Sequence, residues 1–215
     1  SGHPEHANTS AAAMLSYDVR HTAPWDWRVS LYTWTKGIAS GSYLIALLLV
    51  LAGIMSPDSP IWQWSAPVLS VTFLAVTGGL LLWDLRHPER FYLIFTRPQW
   101  NSWLVRGAFI ITGYGLVLGL HIFTSFFELL NIQRLLMLLG LPLAVLSAVY
   151  TAYLFAQAKA RDLWQSPLLP IQLIIQAFLS GAASLALTAA FLEPDLVNPL
   201  LKITSASCLI HLLIV

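Results

Sequence analysis

Charged residues are scarce in this sequence. Only 10% of its 215 residues are Asp, Glu, Lys or Arg, whereas 57% are hydrophobic. Soluble domains carry about 25% charged residues, so the composition excludes an ordinary soluble protein and indicates an integral membrane protein. The formal net charge is +1. Such a balance provides no basic surface to neutralise phosphates, which excludes nucleic acid as a partner.

Cysteine is nearly absent as well. Cys208 is the single cysteine of the chain. One thiol cannot form a disulfide framework, hold an iron–sulfur cluster or build a thiolate zinc site. We therefore expect no iron–sulfur cluster in this chain, and we expect any such centre that it serves to lie on another subunit.

Long apolar runs are what the sequence has instead. Each is long enough to cross ~30 Å of hydrocarbon at 1.5 Å per residue. Runs of this length without alternation predict helices, because backbone groups in lipid must be paired within the segment. The predicted fold is all-α, a polytopic transmembrane helix bundle over 32–215, preceded by a polar N-terminal arm over 1–31. The predicted spans are 34–54, 63–83, 102–124, 134–156, 167–192 and 199–215.

The sixth run is still apolar at Val215. A spanning helix should be followed by polar residues, so we expect the chain to be truncated within this helix. Glycines are frequent in the first three runs, including the pattern Gly37-x-x-x-Gly41. Small residues let helix backbones approach each other in lipid, so we expect a compact bundle.

Charge is distributed unequally between the two sides of the predicted bundle. If the helices alternate in direction, nine of the eleven Lys and Arg residues lie on the side that carries the N-terminus, here called the N-terminal face. The positive-inside rule would make this face cytoplasmic. Arginines that dock an extrinsic partner would produce the same asymmetry, so the orientation stays open.

The connection between the second and third runs concentrates charge at the N-terminal face. Residues 83–106 include one Asp, one Glu, one His and four Arg, which cannot lie in hydrocarbon. Lys36 opens the first run on the same face and by itself could extend to the membrane interface. An ionisable residue near membrane depth should have a partner. We therefore expect an ion pair between Asp84 and either Lys36 or Arg106.

Aromatic and hydroxyl side chains gather at the same face. Taken singly, they fit an interfacial aromatic belt. Together they predict a pocket with aromatic walls and a few convergent polar groups, which suits the headgroup of a quinone. Turnover of a quinone also needs groups that exchange protons, and Asp84 and His87 are our candidates for that catalytic role. The predicted quinone-binding residues are Thr35, Lys36, Ser102, Trp103, Arg106 and Tyr150.

Haem is the competing cofactor. Among the six histidines, His121 and His211 lie inside spanning runs. A haem b would need two histidines at matching depths on facing helices. These two lie at different depths, so we expect no haem in this chain and an interhelical hydrogen bond from His121. The alternative functions are a haem b-containing membrane anchor, a transporter and a purely structural anchor. The transporter is disfavoured because helix centres carry almost no charge.

The chain resembles the NrfD/PsrC family, the membrane subunits of polysulfide-reductase-like complexes. Three stretches carry the resemblance: Trp-Thr-Lys-Gly-Ile-Ala-Ser-Gly at 34–41, Asp-Leu-Arg-His-Pro-Glu-Arg-Phe at 84–91, and Arg-Pro-Gln-Trp-Asn-Ser-Trp at 97–103. The similarity covers about residues 25–160. It implies eight or more helices, no haem, and electron exchange between a quinone pool (menaquinone or ubiquinone) and an iron–sulfur subunit. That subunit would connect to a molybdopterin or multihaem catalytic subunit.

The resemblance also implies a place for the quinone, at the N-terminal face of the first four-helix bundle. The residues that match are Thr35, Lys36, Asp84, His87, Ser102 or Trp103, and Tyr150. Lys36 departs from the family pattern, because some relatives have a neutral amide or His in this region. The Arg-rich segment would dock the iron–sulfur subunit. We therefore expect a quinone-reactive, multi-pass subunit of a respiratory oxidoreductase in the cell inner membrane, surrounded by lipid and not catalytic alone.

Overall fold

The computed structural model describes residues 27–84, 92–157 and 166–214. All regular structure in these three ranges is helical. A π-helical turn (Ile61–Ser65) leads into α2, and a short 3-10 turn (Pro194–Leu196) leads into α7. The α-helices are α1 (Trp27–Leu51), α2 (Ala66–Asp84), α3 (Leu93–Thr96), α4 (Trp103–Phe126), α5 (Leu130–Gln157), α6 (Leu169–Leu192) and α7 (Val197–Ile214).

Six helical segments are long and apolar enough to cross a membrane. This confirms the predicted all-α, polytopic bundle, with each segment close to a predicted span. The largest difference is at the first span, because α1 begins at Trp27, inside the range assigned to the polar arm. Tyr32 and Thr35 are buried, so the first turns of α1 are held by packing rather than by an apolar run. Residues 1–26 lie outside the described part of the chain.

Helix α1 lies at the centre of the bundle. It packs against α2, α5 and α6, and its residues Ala39, Ala46 and Leu47 have no exposed surface. Helix α2 also packs against α4, and α4 packs against α5. The helices α1, α2, α4 and α5 therefore close into a four-helix bundle. Helix α6 covers α1 and α5 from outside, and α7 packs on α6.

Contacts between helix ends define the two faces of the bundle. At the N-terminal face, the start of α1 meets the ends of α2 and α5. Thr77 of α2 donates a hydrogen bond to Thr35 at 3.0 Å, and Lys36 donates one to the carbonyl oxygen of Ala148 on α5 at 3.0 Å. At the opposite face, the later part of α1 meets the end of α4, where the Tyr43 hydroxyl lies 3.0 Å from Nδ1 of His121. The helices thus alternate in direction as the sequence predicts.

The contact between α1 and α6 is made by backbone atoms. A Cβ placed on Gly41 would lie 1.8 Å from the carbonyl oxygen of Ala177, and one placed on Gly181 would lie 2.2 Å from the carbonyl carbon of Gly41. No side chain fits at either position without separating the two helices. The glycine pattern in the first run is therefore a close-packing site, and its partner is α6.

We expect Gly41→Ala to destabilise the bundle by about 3 kcal/mol, at the upper end of overpacking costs, because backbone rather than a flexible side chain must move. Thermal unfolding in detergent measures this change. Gly119→Ala on α4 is the matched control, since nothing lies within 4 Å of its added Cβ. The control should change stability by about 1 kcal/mol or less. Equal stability of the two variants would contradict the close contact.

Candidate functional site

Lys36 lies inside the bundle rather than at its surface. Its side chain is 1% exposed, and Nζ donates hydrogen bonds to the carbonyl oxygen of Ala148 at 3.0 Å and to Oγ1 of Thr151. Nζ also lies 5.6 Å and 5.0 Å from the ring centroids of Tyr32 and Tyr150. The interpretation of Lys36 as a residue that extends to the interface is therefore wrong. Its desolvation is offset by hydrogen bonds and aromatic faces from α1 and α5.

Two tyrosines complete this arrangement. The hydroxyl of Tyr32 is hydrogen-bonded to the hydroxyl of Tyr150 and lies 3.2 Å from Oγ1 of Thr151. We call Tyr32, Lys36, Tyr150 and Thr151 the lysine–tyrosine cluster. Sequence reasoning missed Tyr32 and Thr151. The available signal was position, because Tyr32 precedes Lys36 by one helical turn on the same face and Thr151 adjoins Tyr150.

A cavity of about 90 Å³ lies next to this cluster, between α2, α3, α4 and α5. Tyr150 forms its inner end, since Tyr150 is 2% exposed while the other lining residues are half-buried or exposed. The cavity therefore opens at the outer surface of the bundle. Its lining residues are Gly78, Leu81, Leu82, Ile94, Leu104, Ala108, Ile111, Thr112 and Tyr150.

The ring of Tyr150 packs against Gly107 of α4, where there is no room for a side chain. A Cβ on Gly107 would lie 2.4 Å from Cε2 of Tyr150, so the ring packs directly on the backbone of α4. The walls beyond it are aliphatic, and among the lining residues only Thr112 and Tyr150 have polar side chains. This arrangement can hold a flat apolar molecule with the Tyr150 side chain at its inner edge.

The structure brings part of the predicted pocket together. Tyr150 lines the cavity, and Lys36 lies behind it without lining it. Thr35 is buried and donates to the carbonyl oxygen of Tyr32 at 3.2 Å. Trp103, which begins α4, stacks on Tyr153 with ring centroids 4.5 Å apart. Trp103 precedes the cavity residue Leu104 in the sequence but does not itself line the cavity.

The remaining predicted residues lie around this centre. Ser102 precedes α4 and makes no side-chain capping bond. Arg106 is exposed; its Nε donates to the carbonyl oxygen of Trp100 at 2.7 Å. The side chain of Asp84 and the whole of His87 lie outside the described residues. Within the described part of the chain, the hydrogen-bond partners of Lys36 are a carbonyl and a hydroxyl, not a carboxylate.

A second buried polar group lies toward the opposite face. Nδ1 of His121 is hydrogen-bonded to the Tyr43 hydroxyl. This bond between α4 and α1 confirms the predicted interhelical hydrogen bond. Its ring also packs edge to face against Trp62 with centroids 4.5 Å apart, and a Cβ on Gly140 would lie 2.7 Å from the ring of Tyr43. The ring of His121 is thus flanked by the aromatic side chains of Tyr43 and Trp62.

Comparison with known proteins agrees with the resemblance drawn from the sequence. The family described as polysulphide reductase, NrfD, matches residues 16–195, further than the region that carries the resemblance. Protein NrfD of Escherichia coli (strain K12) is 28% identical over 187 residues, which cover 74% of this chain and 57% of that protein. The chain thus spans less than two thirds of the length of this relative. The family match includes the whole cavity and the lysine–tyrosine cluster, and the chain belongs to the NrfD polysulphide reductase family.

Proposed function

We propose that this chain is the quinone-binding membrane subunit of a respiratory oxidoreductase complex in the cell inner membrane. The observation that carries the proposal is the apolar cavity at the N-terminal face with buried Tyr150 at its inner end. A quinone such as menaquinone or ubiquinone has a flat ring, an apolar tail and two carbonyl oxygens. Aliphatic walls fit the ring and tail, and a phenol hydroxyl can donate a hydrogen bond to a carbonyl.

The dimensions define how such a ligand would lie. The cavity of about 90 Å³ is smaller than the roughly 150 Å³ apolar cavity that accommodates benzene in an engineered protein. A quinone ring would therefore fill the cavity and extend past its mouth. Because the lining residues of α2 and α4 are half-buried or exposed, the mouth of the cavity faces the surroundings of the bundle. The tail would then lie along these helices among lipid chains.

Each group of residues has a distinct task in this proposal. Tyr150 orients the ring, while Leu81 and Leu104 are among the side chains that keep water from its faces. The quinone supplies the chemistry of carrying two electrons and two protons. Asp84 and His87 remain our candidates for exchanging those protons, and Asp84 ends α2 only two residues after the cavity residue Leu82.

Filling the cavity should abolish quinone binding. We expect Ala108→Trp to weaken binding of a short-chain quinone by about a hundredfold or more, because an indole occupies the space of the ring. Titration of the detergent-solubilised complex with menadione, and separately with a short ubiquinone, measures the affinity.

The matched control is Ala190→Trp, which places the same side chain at an exposed position of α6. It should leave the affinity for both quinones unchanged. If Ala108→Trp binds both quinones as tightly as the control, in a complex of unchanged composition, the cavity is not the quinone site.

Electrons must reach this site from another protein. We propose an iron–sulfur subunit docked at the N-terminal face, connected in turn to a molybdopterin or multihaem catalytic subunit. The single cysteine supports this division of roles, since one thiolate cannot hold a cluster. Arg97 and Trp100 are exposed at this face between α3 and α4. Exposed arginine and tryptophan are residue types enriched at protein interfaces.

Reversing charge at this face should weaken docking. We expect Arg97→Glu to reduce the affinity for the iron–sulfur subunit about fivefold to tenfold at low salt, and less at high salt, because exposed charges are screened. Co-purification across a salt series measures the effect. Arg134→Glu is the control, because Arg134 is also exposed but lies near the start of α5 at the opposite face. If Arg134→Glu weakens binding of the iron–sulfur subunit more than Arg97→Glu does, the partner docks at the opposite face and the proposal is contradicted.

A further inference from the structure

Lys36 is fully buried, yet it does not line the cavity. Its Nζ lies 5.0 Å from the ring centroid of Tyr150, and Tyr150 is one of the residues that line the cavity. Burying a lysine between two helices costs free energy, because its amino group must be removed from water. An apolar side chain of similar volume could pack there without that cost. This cost indicates that Lys36 does more than hold α1 against α5.

The contacts of Lys36 lead to the hydroxyl of Tyr150 by a short path. Nζ fixes the Thr151 hydroxyl, which lies 3.2 Å from the hydroxyl of Tyr32. The Tyr32 hydroxyl in turn is bonded to that of Tyr150. On the other side of the ring, the backbone of Gly107 prevents movement toward α4. The orientation of the phenol is therefore set from both sides.

We propose that Lys36 is a positioning residue that holds the Tyr150 phenol at the inner end of the cavity and so sets the affinity for quinone without touching it. This inference rests on the proposed quinone site. It replaces the direct contact between Lys36 and quinone that the sequence predicted. Thr151 and Tyr32 are the intermediates through which Lys36 acts.

A double-mutant cycle in the assembled complex tests this proposal. The variants are Lys36→Met, Tyr150→Phe and the combination, measured by menadione binding and by KM and kcat with a short-chain quinone. We expect each single variant to weaken binding about tenfold, as loss of one buried hydrogen bond does, and to raise KM more than kcat falls. Because Lys36 acts through the Tyr150 hydroxyl, the double variant should bind no more weakly than Tyr150→Phe alone.

Other outcomes separate the competing explanations. If Lys36→Met weakens binding equally in the presence and absence of the Tyr150 hydroxyl, Lys36 acts directly or through general stability, and the positioning role is overturned. If neither Tyr150→Phe nor Ala108→Trp affects quinone binding, the proposed function itself fails. Lys202→Met, at an exposed position of α7, should match the unaltered protein.

A second pair of variants leaves Lys36 in place, in case its replacement prevents assembly. Thr151→Val removes the hydroxyl between Lys36 and Tyr32, and Thr151→Ser retains it. We expect the valine variant to weaken quinone binding about fivefold to tenfold and the serine variant to restore it. Equal affinities of the valine and serine variants would overturn the proposal, because the path to Tyr150 would then not pass through the hydroxyl.

Discussion

The enclosure of α1 by α2, α5 and α6 is the constraint on which the rest of the structure depends. A polar side chain on an enclosed helix has no water to bond, so a hydrogen bond to a neighbouring helix stabilises it. Lys36 has such a bond with α5, Thr35 with α2 and Tyr43 with α4. These bonds fix the rotation of each neighbour about its axis, while the glycine contact with α6 fixes how close that helix lies. Lys36, Thr35 and Tyr43 therefore connect α1 to its neighbouring helices, in addition to any role in a site.

The cavity follows from where small residues interrupt this packing. Gly78 on α2 contributes no side chain to the space that it lines, and Gly107 on α4 lets the ring of Tyr150 lie against its backbone. The aliphatic neighbours Leu81 and Leu104 then face an opening that their side chains leave unfilled. Hydrogen bonds hold the bundle together on one side of Tyr150, and the cavity lies on the other side. The tyrosine can therefore stay fixed while a ligand enters. That combination of a rigid inner end and an open mouth is what a diffusing hydrophobic substrate requires.

Sequence reasoning predicted the helices and the face at which the cavity lies, but not the contacts around the cavity. The spans follow from run length alone, since hydrocarbon thickness sets a minimum number of apolar residues. Rotation does not follow, because a helix in lipid is apolar on all sides and its pattern does not reveal its inner face. Tyr150 was therefore identified by its depth and its resemblance to a family position, whereas Thr151 beside it was missed. The same ambiguity hid the hydroxyl of Thr151 on α5 as a partner of Lys36, while the expected ion pair of Asp84 with Lys36 or Arg106 stays a prediction because the Asp84 side chain lies outside the described residues.

Two buried tyrosines show why one half of the bundle has a cavity and the other half is filled. Each ring packs on a glycine of a neighbouring helix: Tyr43 on Gly140 of α5, and Tyr150 on Gly107 of α4. Around Tyr43, however, the space is filled by aromatic rings, including Trp62, and its hydroxyl is bonded to the His121 imidazole. The α2 side of Tyr150 is lined instead by glycine and leucine, which leave a cavity. Aromatic filling makes Tyr43 part of the core, whereas aliphatic walls leave a cavity beside Tyr150. This difference is why we propose the quinone site at the N-terminal face rather than at the opposite face.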